Sequence, residues 1–119
     1  MPKLRVGVFG AGGRMGATVC QAVAADPELD LVGGVDPHHS GLELSRVADV
    51  PGFDVQVTGD PMSLLDVGVD VVVDFTEVSA ARSNMEWAAE HGVHAVVGTS
   101  GFTEADHDGF RELFVKSNC

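Results

Sequence analysis

The segment GAGGRMG, Gly10 to Gly16, packs four glycines into seven residues between the apolar run RVGVF and the periodic segment ATVCQAVAA. Glycine costs conformational entropy on folding, so this density marks a backbone that must turn sharply or let something approach closely. A pyrophosphate needs backbone N–H donors and the positive end of a helix dipole, and a helix entered directly from a strand offers both. In that reading Gly10 ends the strand, Gly13 admits a ligand to the backbone, and Gly16 lets helix and strand pack closely. The spacing is Gly-x-x-Gly-x-x-Gly rather than Gly-x-Gly-x-x-Gly, with Gly12 as a further small residue. Asp36 stands 20 residues beyond Gly16, where a carboxylate ending the next strand accepts hydrogen bonds from dinucleotide ribose hydroxyls. The competing reading is a tight strand-to-helix turn in an α/β protein of another function, with Asp36 a solvated strand end.

Two further stretches carry hydrogen-bonding or aromatic groups: DFT, Asp74 to Thr76, and GTSG, Gly98 to Gly101. Ligands of open parallel sheets bind outside the carboxyl ends of the strands. Phe75, Thr76, Gly98, Thr99 and Ser100 would then border one crevice with the glycine turn, and ordinary loop chemistry is the alternative for either stretch alone. His38 and His39 read as solvated loop histidines, a place beside the ribose being the other option. His91, His94 and His107 are too scattered for a ligand set, and no metal site is expected.

The elements that must position these groups follow from periodicity. Leu4 to Gly10 reads as a strand, and Met15, Val19, Ala22 and Val23 repeat at helical spacing. Asp30 to Asp36 is a second strand, parallel to the first through a right-handed crossover. Leu42 to Ala48 is a short helix and Val55 to Thr58 a short strand, and Asp60 with Pro61 opens a helical turn. The run Val69 to Phe75 has the pattern of a central parallel strand buried on both faces. Ser79 to His91 is a helix closed by Gly92, VHAVVGTSG another buried strand, and Thr103 with Asp106 caps a last helix whose inner face is Phe110, Leu113 and Phe114. Alternating strands and helices predict one domain of α/β class, a Rossmann-type doubly wound parallel sheet.

Eighteen acidic against seven basic residues give a net charge of −11 over 119 residues, which weighs against nucleic acid and anionic membranes as partners. Mean hydropathy is +0.15, and no window has the roughly 18 apolar residues of a membrane span. The first residues lack the regions of a secretory signal, so a cytoplasmic location is expected. Cys20 reads as a buried helix cysteine. Tyrosine is absent and Trp87 is the single tryptophan, leaving little for stacking on nucleobases.

Three segments in order, VGVFGAGGRMG, VVVDFT and HAVVGTSGF, are similar to the N-terminal domain of the dihydrodipicolinate reductase (4-hydroxy-tetrahydrodipicolinate reductase) family of lysine and diaminopimelate biosynthesis. The resemblance implies that residues 1–119 are the dinucleotide-binding domain, cut short at its C-terminal end and lacking the family's second α+β substrate and tetramerisation domain. It implies that Gly10, Ala11, Gly12, Gly13, Arg14 and Met15, with Gly16 behind them, wrap the cofactor pyrophosphate and that Asp36 binds the adenosine ribose. Phe75 with Thr76 would help form the nicotinamide site, and Gly98, Thr99 and Ser100 would meet the carboxamide or adjoining ribose. The cofactor would be NADH or NADPH, with NADH favoured or both accepted because Pro37 follows the acid where the family often has arginine. The family is homotetrameric and transfers hydride to a cyclic imine dicarboxylate; this chain is expected to bind cofactor without turnover. A stand-alone nucleotide-binding or regulatory module, or a CoA-binding α/β domain, are the alternatives.

Overall fold

The structure, a computed structural model, describes residues 3–52, 55–99 and 102–116. LRVGVF forms strand β1 (Leu4–Phe9), whose alternation sends Val6 and Val8 to one side of the sheet and Phe9 to the other. The chain turns at Gly10 into helix α1 (Arg14–Ala25) and returns as β2 (Leu29–Val35). A 3-10 turn (Pro37–His39) and two short helices, α2 (Leu44–Val47) and α3 (Met62–Asp66), lead to β3 (Val71–Asp74). Helix α4 (Val78–Glu90), strand β4 (His94–Val97) and helix α5 (Glu104–Lys116) complete the described chain.

The strands are parallel in the order β2-β1-β3-β4. The chain leaves β1 for β2 on one side and later crosses to β3 on the other, so the winding reverses between β1 and β3. Cys20 and Val23 of α1 and Leu44 of α2 pack with Val6, Val8 and Leu31 on one face. Leu64 of α3 and Ala88 of α4 pack with Phe9, Val35 and Val72 on the other. This is the doubly wound α/β sheet expected from the sequence. Burial pushes the Cys20 thiol up to about 12, so it stays protonated as a core residue.

The local stop and start signals act as expected. Asp60 Oδ1 accepts the Met62 N–H at 2.9 Å, with Pro61 leading α3. Gly92 follows α4 at φ +65°, a value that favours glycine. Thr103 and Asp106 cap α5 reciprocally, the Thr103 N–H donating to Asp106 Oδ2 and the Asp106 N–H to Thr103 Oγ1.

Three expectations change. Val55 to Thr58 makes only isolated bridges, Val35 with Thr58 and Glu43 with Gln56, because its bonds are divided between two partners, Leu42 and Leu44 on one hand and Gly34 and Asp36 on the other. β3 is buried at alternate positions, Val72 and Asp74 fully and Val71 and Val73 partly. β4 is not a buried strand. It lies at the sheet edge, with Val96 58% and Val97 36% exposed, and an edge position leaves apolar side chains uncovered whatever their pattern.

Candidate functional site

The four strands end level with one another. Phe9 pairs with Val35 and with Asp74, and Asp74 pairs with Val97. Gly10, Asp36, Phe75 and Gly98, which follow these residues, therefore emerge along one edge of the sheet. Gly10, Gly13, Asp36, Phe75, Thr76 and Glu77 line a crevice of about 470 Å³ there, at the β1/β3 reversal. A larger hollow of about 660 Å³ lies beyond His39, between it and Arg46, away from the glycine turn.

The glycines of the turn separate by what surrounds them. Gly10 has φ +80°, and a Cβ there would stand 2.6 Å from the Phe75 carbonyl oxygen. A Cβ on Gly16 would run into the Gly10 carbonyl, so this glycine lets α1 close onto the turn. Beside Gly13 only the Gly10 oxygen comes near, at 3.4 Å, and the rest is open. Gly13 also starts α1 with no side-chain cap, and the first turn carries no acidic residue. The first N–H groups of a helix have no intrahelical acceptor, and Gly13, at the head of this helix, lines the crevice. Ala11 is buried in the core, while Arg14 and Met15 are exposed.

Asp36 is 6% exposed. Its Oδ2 accepts the Gly12 N–H at 2.9 Å and its Oδ1 the His38 N–H at 3.0 Å, which ties the end of β2 to the glycine turn. A carboxylate has about four lone-pair sites, so two acceptor positions remain. His38 is exposed as expected, and His39 is partly so, its side chain 36% exposed while the ring packs on Gly12 and Nδ1 is 3.2 Å from Asp36 Oδ2.

On the other side of the crevice, Asp74 is wholly buried and both its oxygens accept hydrogen bonds. Its Oδ1 accepts the Thr76 N–H at 2.9 Å, the Thr76 hydroxyl at 2.6 Å and the Thr99 hydroxyl at 3.0 Å. Its Oδ2 accepts the Asn84 amide at 2.8 Å. The Thr76 and Thr99 hydroxyls are thus engaged inward, and the Phe75 ring lies against Gly98. Ser100 lies outside the described residues. Sequence reasoning placed Asp74 in the DFT stretch but missed the hydrogen bonds it gathers, that from Asn84 among them, and the place of Glu77 in the crevice lining. The signal was there: an acid ending the apolar run VVV needs buried donors.

A sequence profile of the family described as dihydrodipicolinate reductase, N-terminus, matches residues 4–119. The chain belongs to that family. Among curated relatives, the 4-hydroxy-tetrahydrodipicolinate reductase of Chromohalobacter salexigens is 40% identical over 114 residues, covering 91% of this chain and 42% of the relative. That of Corynebacterium urealyticum is 37% identical over 114 residues, covering 96% and 38%. The chain therefore spans well under half the length of these reductases. Among solved structures, dipicolinate-bound dihydrodipicolinate reductase from Paenisporosarcina sp. TG-14 superposes with a TM-score of 0.76 at 26% identity, covering 93% of this chain and 43% of that one. GenD2 from gentamicin A biosynthesis, solved in complex with NAD, gives a TM-score of 0.79 at 23% identity over 99% of this chain and 33% of that one, a likeness of fold alone. Among the described residues, no helix of this reductase-family domain is long and apolar enough to cross a membrane.

Proposed function

We propose that this chain is the cofactor-binding part of a pyridine-nucleotide-dependent reductase acting on a cyclic imine dicarboxylate, as the names of its relatives imply. The observation that carries this reading is the uncapped start of α1 over the open face of Gly13, beside the half-satisfied carboxylate of Asp36. Those features fit a dinucleotide: the helix start and the backbone of Gly10, Ala11, Gly12, Gly13, Arg14, Met15 and Gly16 take the pyrophosphate, and Asp36 accepts from the ribose. Phe75, Thr76, Gly98, Thr99 and Ser100 border the nicotinamide, which supplies a hydride when bound. NADH is favoured over NADPH, because Asp36 and Glu77 line the crevice and repel a 2′-phosphate of about −1.5 to −2 charge. The location is cytoplasmic.

Orientation of two reactants contributes roughly 7–11 kcal/mol to a barrier. The crevice holds no cationic clamp for a dicarboxylate among the described residues, so this chain binds cofactor and does not turn it over. Calorimetric titration of the 119-residue chain with NADH, NADPH and coenzyme A is the test. Saturable NADH binding, tighter than NADPH and without coenzyme A binding, is the expected result. Coenzyme A binding with no response to NADH would replace this reading by that of a CoA-binding domain.

A further inference from the structure

We propose that Asp74 is a positioning residue for the nicotinamide end of the crevice, its carboxylate locking the Phe75–Thr76 turn, Thr99 and α4 into one unit; this rests on the cofactor reading above. The three segments it joins come from different elements: the turn after β3, the loop after β4, and Asn84 of α4. Of these, the Phe75–Thr76 turn lines the crevice directly. Backbone bonds also anchor the two loops, the Phe75 N–H donating to the Phe9 oxygen at 3.2 Å and the Gly98 N–H to the Asp74 oxygen at 2.8 Å.

The carboxylate adds four donors on two oxygens, and the Thr76 N–H also reaches Thr99 Oγ1 at 3.0 Å. Oδ1 takes three of these donors and Oδ2 one, and with the residue wholly buried Asp74 presents no acceptor to a ligand. Its effect on a ligand is therefore indirect, through the placement of the Phe75 ring against Gly98. The adenosine end is built separately, from Asp36 bonded to Gly12 and His38, and shares no hydrogen-bonding atom with the Asp74 set. A buried carboxylate without an ion-pair partner among the described residues is costly unless its hydrogen bonds are complete. Here four donors from three segments meet that need and fasten the segments to one another.

The test separates the two ends of the cofactor. Asn84→Asp sets a second carboxylate against Asp74 Oδ2, while Asp74→Asn combined with Asn84→Asp restores a donor and an acceptor with the roles exchanged. The thermal midpoint and the affinities for NADH and ADP-ribose are measured for the wild-type chain and both variants. The expected result is an NADH affinity about five- to tenfold weaker in Asn84→Asp, with ADP-ribose affinity unchanged and NADH affinity recovered in the double variant. Parallel loss of NADH and ADP-ribose affinity, tracking the thermal midpoint, would show a merely structural role and overturn the proposal. Unchanged NADH affinity in Asn84→Asp, or failure of the double variant to recover it, would overturn it as well. Wild-type protein that binds neither ligand would remove the cofactor reading itself and the proposal with it, an outcome distinct from the others.

Discussion

The Nδ1 atom of His39 lies 3.2 Å from Oδ2 of Asp36, the same oxygen that accepts the Gly12 N–H at 2.9 Å. That Nδ1 is buried and lacks a well-angled hydrogen bond, so contact with Asp36 is one of proximity rather than of a formed bond. Asp36 itself, His38 and, across the neighbouring hollow, Glu43 and Arg46 are the other charged or titratable groups around the ring.

On the proposed reading Asp36 accepts from the cofactor ribose, and the His39 ring packs beside it on Gly12. His39→Ala, which removes that ring, is therefore expected to weaken NADH binding about three- to tenfold. Calorimetry with parallel thermal melts checks it, and an unchanged NADH affinity would refute it.

Gly13 and Gly16 should fail differently. Gly13→Val has room in the fold and is expected to keep the thermal midpoint while weakening NADH by more than about tenfold, since the side chain fills the approach to the helix start. Gly16→Val drives a side chain into the Gly10 carbonyl and should cost about 3 kcal/mol, the upper end for overpacking. Denaturant melts with parallel titrations check this, and an equally destabilised Gly13→Val would place the ligand face elsewhere.

Arg82 grips Asp106 with two bonds, Nε to Oδ1 at 3.0 Å and Nη2 to Oδ2 at 2.9 Å, tying α4 to α5. The guanidinium first, and the Thr103 N–H second, hold the Asp106 carboxyl well below the usual carboxylate range. A depressed folded-state value stabilises the fold above the unfolded value of about 3.9 and is lost as pH falls through the folded one. The thermal midpoint of Arg82→Met should therefore lie below wild type at neutral pH, with the gap closing below about pH 4 and narrowing in about 1 M salt. A gap independent of pH would mean that packing of the arginine stem is responsible.

Two valines of neighbouring strands should respond unequally. Val72, fully buried in β3, is expected to lose roughly 2–3 kcal/mol on Val72→Ala. Val96→Ala on β4, at 58% exposure, should stay within about 0.5 kcal/mol. Equal losses in urea unfolding of the 119-residue chain would show that β4 is covered.

Periodicity and punctuation made most of the architecture legible in the sequence, because they depend on neighbours a few residues apart. Met15 to Val23 marks α1, Gly92 stops α4, and Asp60 and Thr103 start α3 and α5 through bonds reaching two or three residues. The glycine turn and Asp36 were legible too, since strand, helix and strand at that spacing bring them together by local geometry. What only the tertiary structure decided involves partners distant in the chain. Whether Val96 is covered depends on which strand lies beside β4, and Val55 to Thr58 divides its bonds between two distant segments instead of forming a strand. His39 meets Gly12 across 27 positions, and Asp74 finds Thr99 across 25. A side chain's type states what it can bond to; only the packing of β3, β4 and α4 chose that Asp74 would gather donors from three segments out of reach of solvent while Asp36 lines the crevice.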